Sequence, residues 1–204
     1  MRTGLNFRIE EHRMSGKKKS FDADQCKVID RFLVETGRHR DLAFFRLAVS
    51  SMGLCSELLA LRVGDVLDKN GVVGHRFFTG QKKAVKTAHL ISTSARTAIH
   101  KLIVIEALSP CSYLFGARGD YSKPISRRRL TTIVKDWATK LDLDPADYGL
   151  HSLRRAGASH IYRLTGNLDA TRQLLGHKRV DETIAYLDIP REDVLDWAEK
   201  YAVI

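Results

Sequence analysis

Apolar positions recur three and four residues apart over long stretches of the chain. Asp22 can cap a helix that carries Cys26, Ile29, Phe32 and Leu33, and Gly37 provides the turn that ends it. Leu42, Phe44, Phe45, Leu47 and Ala48 predict a second helix, and Ser56-Glu57-Leu58-Leu59-Ala60-Leu61 a third, shorter one. From about residue 63 to 92 the rhythm changes. Val72-Val73, Phe77-Phe78 and His89-Leu90-Ile91 are short apolar pieces separated by Gly71, Gly80 and a basic stretch, which predicts a small antiparallel sheet. The tip between its strands is Gln81-Lys82-Lys83-Ala84-Val85-Lys86, a cationic hairpin end.

Ser94 is placed to open another helix, with Ala98, Leu102, Ile103 and Ile105 on its apolar side, and Pro110 and Pro124 bracket a loop containing Tyr113, Leu114 and Phe115. The clearest periodicity follows Ser126, where Leu130, Ile133, Val134, Trp137 and Leu141 form one face and Arg127, Arg128 and Arg129 begin the other. After Pro145 come helical stretches near 153–164, 168–175 and 181–187, punctuated by Gly166 and Gly176, and then an amphipathic tail from Arg191 to Tyr201 with Val194, Leu195 and Trp197. No internal repeat is visible. The fold class is mainly α with a small antiparallel β-sheet (α+β). Residues 1–20 are polar and end in Lys17, Lys18 and Lys19, so they read as a basic N-terminal arm ahead of one domain over 21–204.

The 204 residues suffice for one domain whose apolar core needs neither metal nor disulfide. With 44% hydrophobic residues, 4 Pro and 14 Gly, the chain is not disordered or collagenous. Lys plus Arg is 34 and Asp plus Glu 24, a formal charge of +10, and a polyanion is the natural partner. Every apolar run is broken well before the ~18 residues that a spanning helix needs, and the first residues lack the apolar segment of a secretory signal. Cys26, Cys55 and Cys111 form no close pair, as expected of reduced thiols in a cytoplasmic protein.

No phosphate-cradling GxxxxGK[ST] loop, GxGxxG or HExxH occurs, so nucleotide, dinucleotide cofactor and metal chemistry lack their usual signatures. The dense segment is Gly149-Leu150-His151-Ser152-Leu153-Arg154-Arg155, followed by Leu174-Leu175-Gly176-His177-Lys178-Arg179 and then Tyr186. His151 and Arg154, three apart at a helix start, share a face where one phosphate could touch both. Arg offers a planar fork to two phosphate oxygens, and His can donate a bond or shuttle a proton. His177 directly follows a glycine at a helix end and would project from a turn. Singly, each has a duller account: a satisfied polar histidine, a half-buried tyrosine anchor, a surface ion pair.

In combination, H-x-L-R, then L-L-G-H, then Tyr nine residues after that histidine resembles the tyrosine recombinase (phage integrase) family. The resemblance runs from about Phe21 to the end, the family's catalytic domain, without the separate N-terminal DNA-clamping domain of longer relatives. It implies a nucleophile at Tyr186 that attacks a DNA phosphate to form a 3′-phosphotyrosyl link. His151, Arg154 and His177 would serve the phosphate, and Lys82 on the hairpin tip would protonate the leaving 5′ oxygen, with Lys83 or Lys86 as the alternative. Lys83, Lys86, Arg127, Arg128, Arg129, Arg155 and Lys178 are the candidate DNA contacts. Double-stranded DNA is the implied partner and a homo-oligomer, a tetramer, the implied assembly on it, with the C-terminal tail docking on a neighbour or packing on its own domain. No cofactor is implied.

One position departs from the pattern. The family's first catalytic arginine stands three residues before the acid of a G-L-R-x-S-E motif; three before Glu57 is Leu54, or Cys55 if the match slides by one, and neither can bind phosphate electrostatically. Loss of one preorganised donor typically costs ~10² to 10³ in rate. The expectation is therefore a slow recombinase or, alternatively, a catalytically inactive DNA-binding relative acting as a regulator or accessory factor. The helix-turn-helix look of residues 167–187 suits the second reading.

Overall fold

A computed structural model describes residues 18–80, 87–117, 119–187 and Glu199. Asp22 accepts the backbone N–H of Gln25, and the Gln25 side-chain oxygen takes the N–H of Asp22, a reciprocal cap that starts α1 (Ala23–Glu35). α2 (His39–Ser51) buries Leu42, Ala43, Phe44, Phe45, Leu47 and Ala48 and runs through the centre of the domain. It ends at Met52, a non-glycine residue in the left-handed region (φ 51°). α3 (Cys55–Ala60) and the single turn α4 (Val63–Val66) lead into β1 (Arg76–Thr79), which pairs antiparallel with β2 (Thr87–Leu90), Phe77 opposite His89.

Ser92, not Ser94, caps α5 (Thr93–Ile105): its hydroxyl accepts the N–H of Ala95. The stretch between the two prolines, expected as a loop, folds back on itself as a second two-stranded antiparallel sheet of β3 (Gly116–Ala117) and β4 (Asp120–Pro124). Both strands are too short to show an alternating pattern. Ser126 caps α6 (Arg127–Lys140), a short 3-10 turn spans Pro145–Asp147, and α7 (Leu150–Thr165), α8 (Leu168–Leu175) and α9 (Val180–Leu187) complete the described chain. The architecture is mainly helical with small antiparallel sheets, as the periodicity predicts.

Around α2 the core gathers Phe77, Ile99, Leu102, Phe115, Trp137 and Leu153, each at most 1% exposed; burying a side chain of this kind is worth about 1.5–3 kcal/mol. Phe44 meets Phe115 edge-on at 5.1 Å and Phe45 meets Trp137 at 5.7 Å. α7 approaches α2 so closely that a Cβ on Gly157 would lie 2.0 Å from the Val49 carbonyl oxygen, so only glycine fits there. A smaller cluster of Met52, Ala158, Tyr162, Leu175 and Leu187, with Tyr186 partly buried against it, seats α8 and α9 on the end of α2.

Lys18 and Lys19, at the end of the basic stretch, lie along the 3-10 turn. Lys18 donates to the Ala146 carbonyl at 2.6 Å, and Lys19 pairs with the Asp147 carboxylate at 2.7 Å. Lys17 and the expected tail helix with Val194, Leu195 and Trp197 lie outside the described residues.

Candidate active site

α7 begins at Leu150, three residues earlier than its apolar periodicity suggests, because Ser152 accepts the N–H of Gly149 at 3.1 Å and secures the first turn. His151 and Arg154 therefore occupy that turn. His151 is exposed, whereas Arg154 is buried at 8% exposure. One Arg154 Nη donates to the Met52 carbonyl and the other to the Leu175 carbonyl at 2.5 Å. The guanidinium thus clasps the end of α2 to the end of α8. Both carbonyls lie at helix C-termini, where a cation is favoured.

Gly176 stands in the left-handed region (φ 68°) and ends α8, so that the chain turns and presents His177. Arg172 donates to the His177 carbonyl at 2.9 Å, and the His177 N–H reaches back to the Arg172 carbonyl at 3.1 Å. The imidazole is oriented by Nδ1 against the hydroxyl of fully buried Thr183 at 3.0 Å. Tyr186 follows on α9. Its ring lies edge to face with His177, centroids 5.5 Å apart, and its hydroxyl faces the His151 carbonyl at 3.5 Å. The Arg155 guanidinium carbon sits 5.0 Å from the centre of the same ring.

Burial pushes the Tyr186 phenol above its ordinary value, and the charges of Arg154 and Arg155 pull it back. His151 is held below the ordinary imidazole value by burial and by Arg127, Arg154 and Arg155, and His177 by burial and by Arg154. Both imidazoles are thus neutral near pH 7 and able to accept a proton. Chemically, the cluster is a phenol flanked by two guanidinium groups and two neutral bases, a fit for an anionic, tetrahedral group.

Gly53, Cys55, His151 and Arg154 line one small recess, which places the 53–55 segment beside the cluster. Leu54 is 41% exposed and brings no charge. Glu57 accepts the Leu54 N–H at 3.2 Å, and its carboxylate lies 4.0 Å from Nε2 of His89. His89 is buried on the inner face of β2, stacked on Phe77 at 4.9 Å and bonded to the Thr79 hydroxyl at 3.0 Å. Burial holds its imidazole below the ordinary value. The sequence reading took His89 only as part of an apolar strand; its inward register, two residues before Ile91, was the available signal.

The sequence profile of the phage integrase family matches residues 19–192. This chain belongs to that family. It is similar to the tyrosine recombinase XerC of Actinobacillus pleuropneumoniae serotype 7 (strain AP76), 28% identical over 172 residues covering 82% of this chain and 54% of the relative. A tyrosine recombinase XerD of Xanthomonas axonopodis pv. citri (strain 306) is 33% identical over 70 residues, 34% of this chain and 23% of the relative. Among solved structures the fold matches XerA recombinase with a TM-score of 0.72 and 16% identity, over 93% of this chain and 66% of that one. It also matches XerH site-specific recombinase bound to its palindromic difH substrate in a post-cleavage complex, at 0.70 and 16%, over 89% and 53%. The chain spans about half the length of the curated relative that it matches over most of its own.

Of the residues that the integrase resemblance singles out, His151, Arg154, His177 and Tyr186 converge at the junction of α7, α8 and α9. Arg155, expected among the DNA contacts, is buried at 6% exposure against Tyr186. Arg127, Arg128 and Arg129 are exposed on the first turn of α6, and Lys178 is exposed beside His177. Lys82, Lys83 and Lys86 lie outside the described residues, between the paired strands β1 and β2. Among the described residues, no helix is long and apolar enough to cross a membrane.

Proposed function

We propose that this integrase-family chain cleaves and rejoins double-stranded DNA at specific sites through a 3′-phosphotyrosyl intermediate on Tyr186. The observation that carries the reading is the placement of the Tyr186 hydroxyl against the α7 terminus, with Arg154, Arg155 and His177 around it. The phenol oxygen attacks the scissile phosphorus in line, a P–O bond to Tyr186 forms, and the bond to the 5′ oxygen breaks. The phenolic proton passes to a neutral imidazole, His151 or His177, and Lys82 on the hairpin tip supplies a proton to the departing 5′ oxygen. Arg154 stabilises the charge on the non-bridging oxygens. The phosphotyrosyl ester retains the energy of the broken phosphodiester, so a 5′ hydroxyl of a second strand can reverse the step without a nucleotide.

The positive surface of α6, Lys178 and the hairpin lysines Lys83 and Lys86 hold the duplex, and several copies of the chain assemble on it as a tetramer on cytoplasmic, nucleoid DNA. The decisive experiment is incubation with nicked duplexes whose cleaved end diffuses away: a covalent protein–DNA adduct is expected, formed slowly because Leu54 leaves the family's first arginine position without charge. Leu54 also favours a second reading, a catalytically inactive DNA-binding relative, and DNA binding with no adduct at any time is its signature.

A further inference from the structure

Arg155 is a poor candidate for an outer DNA contact. It is 6% exposed, and its Nε is buried with no hydrogen-bond partner among the described residues. A buried guanidinium N–H left without an acceptor is costly, and an anion that reaches it removes the cost. The group stands over the ring of Tyr186 at 5.0 Å, so an anion meeting the Tyr186 hydroxyl also comes within its reach. Its neighbour Arg154 gives one bond from each Nη to the Met52 and Leu175 carbonyls, which leaves it fewer N–H groups for a phosphate.

Arg40 and Arg62 are engaged elsewhere in the domain. Arg40 is engaged through Nε and Nη2 by Asp41 and through Nη1 by the Gly116 carbonyl. Arg62 donates to the Cys111 carbonyl and covers the Tyr113 ring at 4.3 Å. Arg127 is exposed on α6, and its charge acts on His151 rather than on Tyr186. The position that the family fills with arginine, Leu54, brings no charge. We propose that Arg155 is a second phosphate-binding catalytic residue, whose guanidinium, lying against Tyr186 with its Nε unpartnered, takes a non-bridging oxygen of the scissile phosphate and offsets in part the charge that is missing at position 54.

This inference rests on the strand-cleavage reading, and the test separates the two. A nicked duplex carrying the sequence that the full chain selects from a random pool is cleaved under single-turnover, saturating conditions by the natural protein, Arg155→Gln and Arg155→Lys. Each protein is tested on the native phosphate and on a methylphosphonate at the mapped cleavage position. Arg155→Gln is expected to slow adduct formation by about 10² to 10³ on the native phosphate. Arg155→Lys, which keeps the charge without the fork, is expected to fall between. On the methylphosphonate, which has one charge fewer to neutralise, the gap between natural protein and Arg155→Gln is expected to shrink below about tenfold. Because the comparison is made within each variant, a general loss of folded protein cancels. Equal slowing on both substrates, or natural-rate cleavage by Arg155→Gln, overturns the assignment and leaves the cleavage reading standing. No adduct from the natural protein overturns both.

Discussion

His177 and Tyr186 meet edge to face with 83° between their rings, and the imidazole is fixed in that attitude by Thr183 on the same helix as the tyrosine. Tyrosine and histidine are therefore held together through α9. Replacing Tyr186 by Phe keeps the ring contacts and removes only the hydroxyl. Tyr186→Phe is expected to abolish every covalent adduct in denaturing gels while changing DNA affinity less than about threefold, since one hydroxyl makes a small share of a contact set dominated by phosphate pairs.

Leu54 is 41% exposed and sits beside the recess that Gly53 and Cys55 share with His151 and Arg154. An arginine there reaches solvent or phosphate without being buried unpaired. Leu54→Arg is expected to melt within a few degrees of the natural protein and to cleave faster by about 10² to 10³, the value of one added preorganised donor. Unchanged cleavage by a folded variant would show that charge at this position is not what limits the site.

The contact between α7 and α2 depends on the missing side chain at Gly157. A methyl group there overlaps the Val49 carbonyl, 2.0 Å from the ideal Cβ, and the two helices must separate. Gly157→Ala is expected to destabilise the fold by about 1–3 kcal/mol or more. In a domain of this size each kcal/mol lowers Tm by roughly 2–4 °C, which calorimetry resolves.

Acid should weaken the protein before it touches the carboxylates. Burial holds His89 below the ordinary imidazole value, so around pH 6 the unfolded chain binds more protons than the native one. The His89 contribution is complete above the unfolded value of about 6.5 and declines as pH falls below it. Tm is expected to drop between about pH 7.5 and 5.5, and His89→Gln to flatten that dependence. An equal drop in both proteins would assign the effect elsewhere.

With a formal charge of +10 and exposed arginines opening α6, DNA affinity should fall steeply with salt. The slope of log affinity against log salt is expected to be about −0.9 per phosphate neutralised. Replacing Arg127, Arg128 and Arg129 by alanine should flatten it by about one for each that meets a phosphate, as a filter-binding titration reads.

The helices were legible because each carries an apolar stripe and a local cap. Leu130 to Leu141 behind Ser126 shows both. The hairpin β3–β4 was not legible, since two residues facing five leave no period to detect. Likewise, the site could be listed from the spacing of His151, Arg154, His177 and Tyr186, but which of these is exposed and which clasped is decided by partners far along the chain. Arg155 shows this best. Beside Arg154 in sequence it reads as one more surface cation, and only the arrival of α9 over α7 makes it a buried neighbour of Tyr186. His89 was hidden for the same reason, its partners being Ser51, Glu57 and Thr79 on three other segments.

The terminal carbonyls of α2 also set an order in time. Ser51 offers its oxygen to His89, and Met52 to Arg154, which is 102 residues downstream and is itself completed by Leu175. While the chain is being synthesised, the Met52 carbonyl waits for Arg154 on α7, Arg154 in turn for Leu175 on α8, and Tyr186 is made later still. The basic first turn of α6 is thus made before the tyrosine that packs against α7.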